Sequence, residues 1–325
     1  MTKIFDCFLY NGENDLLDIR LDYLYNYVDY FVVVESCQTF QAKKKKFLLN
    51  KNFKKINKFK KKIIYFKNNI FAKNVSDLEK KINDQYPEVF KNLSKLDNFN
   101  KNDFTWYLDS FHREIIIEAI KNKIEDDDVF ILSDLDEIPL YKLITNSKSN
   151  NKKINVLQQK EFRYFYNTLF SSDWKGTIIT TWKQAKIYGL NNLRLLSKKT
   201  DDFQCIKNGG YHFSTMGPID NIIKKINEWG HSEFNNSLIK SLMKYRYKKG
   251  LDIFFISNHQ LKILSLSLNN FDKKMLNLIE KKSLIKNGYF NKVFFLDKIV
   301  FYLIKILLLF FKIKRKVVFL IIIIV

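Results

Sequence analysis

The chain has 325 residues, enough for one large domain or for one domain with an appendage. Its hydrophobic content of 46% and aromatic content of 16% exclude a disordered protein. The formal net charge of +22 favours anionic partners such as nucleic acid, anionic lipid or phosphorylated substrates. The excess is mostly lysine scattered among asparagine and isoleucine, which also fits a solvated surface of biased composition.

The three cysteines, Cys7, Cys37 and Cys205, lack the spacing of metal ligands. An odd number of this kind predicts free, mostly buried thiols in a reducing compartment. The chain enters an apolar, strand-like run at Lys3 without an apolar leader before it. We therefore expect a cytoplasmic location.

The amino-terminal part alternates strand and helix patterns. Apolar runs predict strands from Ile4 to Tyr10, from Tyr30 to Val34 and from Lys62 to Phe66, with a helix capped by Asp15 and ending at Leu24. Strand, helix and strand at this spacing predict a parallel βαβ unit with a right-handed crossover.

The same alternation continues to the middle of the chain and then loosens. A helix from Trp106 to Ile124 leads to a fully apolar strand from Val129 to Leu132. This order predicts an α/β sheet with helices on both faces. The later predicted elements are strands at Glu161 to Asn167 and Gly176 to Thr181, and helices at Pro218 to Trp229 and Asn235 to Lys248.

A cluster of carboxylates follows the Val129 to Leu132 strand. Asp134, Asp136 and Glu137 come directly after Ser133. Ligands of open α/β sheets lie at the carboxyl ends of the strands. Two carboxylates with one residue between them can there bind a hard divalent cation that bridges nucleotide phosphates. An acidic loop after a core strand is the alternative, and the Asp-x-Asp pattern alone does not separate the two.

Several blocks of the chain, taken together and in order, are more specific than that pattern. They are Ile4 to Arg20, Val28 to Ser36, Thr39 to Gln41, Ser133 to Pro139 and Gly210 to Ser214. This ordered set resembles glycosyltransferase family 17, whose known members are β-1,4-mannosyl-glycoprotein 4-β-N-acetylglucosaminyltransferases. The resemblance covers roughly the first four-fifths of the chain. Ala42 departs from it where the family tends to have Gly, and so does Tyr211 where Trp is expected.

The resemblance implies a GT-A-like, Rossmann-like domain with a mixed sheet. It also implies metal-dependent, inverting transfer of a sugar, N-acetylglucosamine or a related hexose, from a UDP-sugar to a glycan. Asp134 and Asp136 are the predicted metal residues, with Asp136 preferred as the direct ligand, and His212 is the predicted third ligand. An imidazole ligand suits Mn²⁺ better than Mg²⁺. Without the family context, a satisfied core histidine is the better interpretation of His212.

Inverting transfer also needs a base that takes the acceptor proton. Glu233 is the predicted base and Asp220 the second candidate, because acceptor contacts are expected in this later part of the chain. Glu137 is adjacent to the metal pair, which would lower its pKa and weaken it as a base. A helix-capping carboxylate is the alternative for Glu233. Trp174 and Trp182 are candidates to stack on sugar rings, with a core role as the alternative.

Four residues are predicted to contribute to the donor site. Glu35, at the end of the second strand, is predicted to contact the base or ribose, with a solvated strand-end carboxylate as the alternative. Arg20 and Arg113 are predicted to reach phosphate or to hold a carboxylate, with structural pairing as the alternative for either. Asp134 belongs to the donor site as well, through the cation that bridges the phosphates.

The carboxyl end is apolar and basic. Residues 299–311 are apolar apart from Lys305, a basic cluster follows at 312–316, and 317–325 is entirely apolar. Neither apolar run reaches the ~20 residues of a spanning helix. We therefore expect a tail helix that lies on an anionic membrane surface, with a buried terminal helix as the alternative. The predicted division is 1–260 for the transferase domain, 261–298 for a helical extension and 299–325 for the tail.

The leading hypothesis is thus a glycosyltransferase, peripheral on the membrane, whose glycan acceptors include lipid-linked ones. The rival is a non-enzymatic basic protein that binds nucleic acid or anionic membrane. It rests on charge and on the tail, but the sequence carries no nucleic-acid recognition motif. The rival also leaves the pair Asp134 and Asp136 unexplained. Titration with a UDP-sugar, with and without Mn²⁺, separates the two hypotheses.

Overall fold

A ten-stranded mixed sheet with flanking helices organises the protein. The computed structural model describes residues 2–49, 57–95, 103–147, 153–199, 202–226, 237–295 and 297–306. The predicted α/β class, with a large mixed sheet and helices around it, is confirmed.

The strands and helices have the following bounds. The strands are β1 (Ile4–Leu9), β2 (Tyr30–Ser36), β3 (Ile63–Asn68), β4 (Val129–Leu132), β5 (Glu137–Pro139), β6 (Asn155–Tyr164), β7 (Thr168–Thr181), β8 (Gln204–Ile206), β9 (Gly210–Met216) and β10 (Lys262–Ile263). The helices are α1 (Asn14–Leu24), α2 (Val75–Gln85), α3 (Pro87–Ser94), α4 (Phe104–Glu114), α5 (Ile116–Ile120), α6 (Tyr141–Ser147), α7 (Trp182–Tyr188), α8 (Leu190–Lys199), α9 (Ile219–Ile226), α10 (Ser237–Lys248) and α11 (Lys273–Glu280). Asn57–Lys62 forms a 3-10 helix, and residues 297–306 are helical as well.

The sheet has a parallel half and a mixed half. Its main strand order is β3-β2-β1-β4-β7-β6-β9-β5, and the first four strands are mutually parallel. The neighbouring pairs β4–β7 and β6–β7 are antiparallel, as is β5–β9, whereas β6 and β9 are parallel. The predicted parallel βαβ unit of β1, α1 and β2 is confirmed. Its strands are apolar and buried because the sheet is covered on both faces.

Two predicted details were wrong. The helix predicted from Trp106 to Ile124 is divided at Ile115 into α4 and α5. Asp15 does not cap α1, because the helix begins one residue earlier and Asp15 lies in its first turn. Periodicity placed these helices correctly, but a one-residue break between two buried segments leaves no sign in the hydrophobic pattern.

Two hydrophobic clusters cover the two faces of the parallel half. Alternate side chains of β1 divide between them: Ile4 and Phe8 pack in one cluster, and Phe5 and Cys7 in the other. Asp6 lies on the same face as Ile4 and Phe8 and is fully buried. A charged residue in this position needs a buried partner of opposite charge.

That partner is Arg20 on α1, which is also fully buried. Its Nε and Nη2 atoms donate to the two carboxylate oxygens of Asp6 at 2.8 and 2.6 Å. Its Nη1 atom donates to the backbone carbonyls of Asp134, Leu135 and Glu137 at 2.9, 3.1 and 3.0 Å. Arg20 therefore fixes the turn after β4 to β1 and α1.

A third hydrophobic cluster includes the start of the predicted tail. Phe301 and Ile304 are buried there against residues such as Tyr164 and Met243. The stretch predicted as a helical extension, 261–298, contributes strand β10 to the sheet as well as helix α11. The rest of the predicted tail, 307–325, lies outside the described residues. Within the described ranges no helix is both long and apolar enough to cross a membrane.

The buried pair of Arg20 and Asp6 yields a stability prediction. Arg20→Met leaves the Asp6 carboxylate buried without its cation, so we expect the free energy of unfolding to fall by about 3–5 kcal/mol. Lys58→Met is the matched control, because Lys58 pairs with Asp22 on the surface at 2.6 Å and should cost less than about 1 kcal/mol. Urea unfolding measures both. Equal losses in the two variants would contradict the structural role of Arg20.

Candidate active site

The backbone brings His212 close to the acidic turn, which is the segment Ser133 to Glu137 after β4. The turn after β4 leads into β5 at the far edge of the sheet, where Glu137 pairs with His212 of β9. The Phe213 amide donates to the Asp136 carbonyl at 2.9 Å. Gly210 permits this close pairing, because a Cβ atom there would lie 2.2 Å from the Ile138 carbonyl oxygen. The paired strands thus place Asp136 beside His212.

His212 and Asp136 face each other in the site. His212 Nε2 lies 3.7 Å from Asp136 Oδ2, farther than a direct hydrogen bond. The Trp174 ring stacks on the imidazole with its centroid at 4.5 Å. Burial opposes protonation of His212, but the Asp136 carboxylate outweighs it and raises the histidine pKa. The buried His212 Nδ1 has no hydrogen-bond partner among the described residues.

Asp134 points to two arginines. Its carboxylate oxygens lie 3.5 Å from Arg113 Nη2 and 3.2 Å from Arg194 Nη2. Its side chain is 41% exposed. Burial of the site would raise the pKa of Asp134, but the Arg194 and Arg113 guanidinium groups lower it far below its ordinary value. Asp134 therefore stays ionised and joins the two cations.

Glu137 is a fully buried supporting group. Its carboxylate accepts from Trp174 Nε1 at 2.7 Å and from the Asp134 amide at 3.0 Å, and it pairs with Arg194. Burial opposes ionisation, but Arg194 outweighs it and lowers the pKa of Glu137. The expected low pKa thus has its cause in an arginine. Glu137 positions Arg194 and Trp174.

Arg194 and Lys198, one turn apart on α8, were not found from the sequence. Lys198 Nζ lies 4.4 Å from the centroid of the Trp174 ring. Burial and the nearby Arg194 lower the pKa of Lys198. The only available signal is two basic residues spaced by four on a helix. In a chain with 56 basic residues that signal does not stand out.

Arg20 and Glu35 are both buried and make structural contacts. Arg20 holds the Asp6 carboxylate and the acidic turn, which is one of the two roles predicted for it. The Glu35 carboxylate is buried and accepts from the Leu48 and Leu49 amides at 2.6 and 3.2 Å, and from the Tyr65 hydroxyl at 2.7 Å. These contacts anchor the segment after β2, and they leave Glu35 no exposed carboxylate for a nucleotide.

The two predicted bases have different positions. Asp220 lies on the exposed side of α9 and pairs with Lys244 at 2.7 Å. The hydrogen bond and charge of Lys244 lower the pKa of Asp220, which weakens it as a proton acceptor. Its surroundings therefore give the base role no support. Glu233 lies outside the described residues.

A cleft of about 310 Å³ lies where β1 and β2 end. Lys225 crosses it to pair with Glu13 at 2.6 Å. The Phe40 ring lies 5.2 Å from the His112 ring, next to Arg113. Because parallel strands end at the same edge of a sheet, this cleft and the acidic turn share one edge. The lining residues are Asn11, Gly12, Glu13, Thr39, Phe40, Asn221, Lys224 and Lys225.

The residues fit a divalent cation in part. Across the described ranges, no group of three or more His, Cys, Asp or Glu side chains is placed to hold a metal ion. Asp136 and His212 nevertheless converge, and a carboxylate oxygen with an imidazole nitrogen suits Mn²⁺. Asp134 is turned to its two arginines instead. The fitting donor set is therefore Asp136 with His212.

Residues 1–84 match the model of glycosyltransferase family 17. This match confirms the resemblance to family 17. The match also supports the prediction that the protein is an enzyme, a glycosyltransferase. The matched segment runs from β1 into α2 and contains Arg20 and Glu35, whereas the acidic turn and His212 follow it. A search of curated proteins found no match.

The two carboxylates that Arg194 keeps ionised in this glycosyltransferase, Asp134 and Glu137, predict an acid-dependent loss of stability. The pKa values of Asp134 and Glu137 are lowered in the folded state. Their contribution is therefore complete above the ordinary carboxylate range near pH ~4 and is lost as the pH falls through the lowered values. Arg194→Met should raise both pKa values, so its loss of stability should begin at higher pH.

Urea unfolding at a series of pH values measures this shift. Lys186→Met is the matched control, because Lys186 pairs with Asp126 on the surface. The pH at which the free energy of unfolding begins to fall should be higher in Arg194→Met and unchanged in Lys186→Met. If Arg194→Met leaves this pH unchanged, Arg194 does not lower the pKa values of Asp134 and Glu137.

Proposed function

We propose that this glycosyltransferase has a GT-A-like fold and carries out metal-dependent, inverting transfer of N-acetylglucosamine from a UDP-sugar to a glycan. The observation that carries the proposal is the acidic turn at the carboxyl edge of the parallel strands. There Asp136 faces His212, and Asp134 lies between Arg113 and Arg194. This arrangement combines a cation site with phosphate-binding groups.

The donor diphosphate is assigned to the cations around Asp134. Arg113, Arg194 and Lys198 place three positive charges near one half-exposed carboxylate. Guanidinium groups bind phosphate oxygens with two parallel hydrogen bonds, and a diphosphate offers more such oxygens than one carboxylate does. The role predicted for Arg113 is thus retained, and Arg194 and Lys198 join it.

The nucleoside is assigned to the cleft at the ends of β1 and β2. The Phe40 ring can stack on a base, and the Asn11 and Asn221 amides can bond to base or ribose. Lys224 adds positive charge at the same opening, where Lys225 is paired with Glu13. This assignment replaces the direct nucleotide contact that was predicted for Glu35.

Asp136 and His212 would hold Mn²⁺, or Mg²⁺ in its place. Such a cation, when bound, neutralises the charge that develops on the leaving diphosphate. Trp174 stacks on His212 and donates to Glu137, so it fixes the orientation of the imidazole. Glu137 and Arg20 hold the turn that carries Asp136.

The acceptor hydroxyl attacks the anomeric carbon as the bond to the diphosphate breaks, and its proton passes to a base. Glu233 is the proposed base. The acceptor is proposed to be a glycan, including lipid-linked glycans, and the enzyme to be cytoplasmic and peripheral on the membrane. Nucleic acid is not a proposed partner.

Asp136→Asn tests the metal and the donor together. A panel of nucleotide sugars is scored for release of the nucleoside diphosphate, with Mn²⁺ and with EDTA. We expect a UDP-sugar to be the preferred donor, EDTA to stop its turnover, and Asp136→Asn to lower turnover by at least ~100-fold without a change in unfolding. Asp84→Asn, at an exposed carboxylate on α2, is the control. Full turnover in EDTA, or an active Asp136→Asn, would refute the metal site.

Glu233→Gln tests the base. We expect turnover to fall by ~10²–10⁴-fold while the affinity for UDP stays unchanged, because the acceptor proton loses its destination. Steady-state kinetics and UDP titration measure the two quantities. An equal loss of UDP affinity would place Glu233 in the donor site instead.

A further inference from the structure

The helix at residues 297–306 has two different apolar faces. One face is buried: Phe301 and Ile304 pack in the third hydrophobic cluster. On the same side, the buried Asp297 pairs with Lys249 at 2.7 Å and accepts from the Tyr245 hydroxyl at 2.7 Å. These contacts attach the helix firmly to α10 and the segment that follows it.

The other face is exposed and also apolar. Ile299, Tyr302, Leu303 and Ile306, which we call the docking face, have exposed fractions between 41% and 63%. Their spacing of three, four and seven residues places them on one side of the helix. The exposed face of a helix on a globular protein is normally polar. Further exposed aromatic residues precede the helix: Tyr289, Phe294 and Phe295.

The chain segment that carries the docking face has one sign of charge in the sequence. From residue 281 onward the chain has ten basic residues and one acidic residue, the buried Asp297. Lys298 and Lys305 are seven residues apart, so they flank the docking face along one side. The basic residues are Lys281, Lys282, Lys286, Lys292, Lys298, Lys305, Lys312, Lys314, Arg315 and Lys316.

We propose that the docking face inserts into the interface of an anionic bilayer and holds the catalytic sheet there in one orientation. Apolar side chains bordered by lysine are the pattern of an interfacial helix, because the lysine stems lie along the apolar surface while the ammonium groups reach lipid phosphates. The core of a protein–protein interface is instead depleted of lysine. The proposal rests on the proposed function only for its benefit, which is access to membrane-proximal acceptors.

This proposal differs from a tail that merely tethers the enzyme. The membrane contact begins on a helix whose opposite face is part of the protein core. The orientation of the active site relative to the bilayer is therefore set by packing. Removal of residues from Ile299 onward would take away Phe301 and Ile304 and damage the core, so substitutions in the full chain are the appropriate test.

The test is co-sedimentation of the full-length protein with phosphatidylcholine vesicles, with and without phosphatidylserine. The variant Leu303→Ser/Ile306→Ser should bind the anionic vesicles at least about tenfold more weakly. Its thermal midpoint and its release of nucleoside diphosphate in solution should match the wild type. The control is Ile187→Ser/Ile256→Ser, at residues 70% and 62% exposed elsewhere on the surface, and it should bind as the wild type does.

A second variant, Lys292→Glu/Lys298→Glu, reverses two charges without touching the buried face. It should lose affinity for phosphatidylserine vesicles and should narrow the difference between the two lipid compositions. If the serine variant proves unstable, this variant decides the proposal by itself.

Three results would overturn the proposal: a wild type that does not bind vesicles, binding that neither variant weakens, or a dimer whose loss accompanies the serine substitutions without any vesicle binding. The last result would assign the face to a second copy of the chain. Turnover in solution is measured without vesicles, so failure of the docking face and failure of the proposed transferase activity are distinguishable.

Discussion

The buried ion pair of Arg20 and Asp6 is the constraint on which the site depends. Asp6 lies inside a parallel strand, where an ionised carboxylate is costly unless a cation is buried with it. Arg20 supplies that cation. Its Nη1 atom, which does not contact Asp6, donates to three backbone carbonyls of the acidic turn, those of Asp134, Leu135 and Glu137. The buried ion pair in the core therefore fixes the geometry of the acidic turn.

The site itself balances carboxylates against cations. Asp134 and Glu137 are held ionised by Arg194, while Asp136 is left to face His212. Arg113 and Arg194 contact the Asp134 carboxylate, which is 41% exposed. A diphosphate has more oxygens than a carboxylate and can therefore compete for the same guanidinium groups. Trp174 connects the pair of Asp136 and His212 to the carboxylates held by Arg194, because it stacks on His212 and donates to Glu137.

The carboxyl-terminal helix shows how one apolar sequence can serve two surroundings. Phe301 and Ile304 complete a hydrophobic cluster, whereas Tyr302 and Leu303, their neighbours in sequence, point outward. Composition describes both pairs as apolar. Only the rotation of 100° per residue and the position of the core decide which pair is buried and which is exposed.

The sequence by itself determined the βαβ order, the strands β1, β2 and β4, the place of the acidic turn and the relation to family 17, because apolar runs and ordered motifs are local signals. Only the tertiary structure decided that Arg20 and Glu35 are buried in structural contacts and that Arg194 and Lys198 belong to the site. These roles depend on contacts between residues far apart in the chain. Such contacts have no period and no fixed spacing, so a buried arginine and a surface arginine look the same in the sequence.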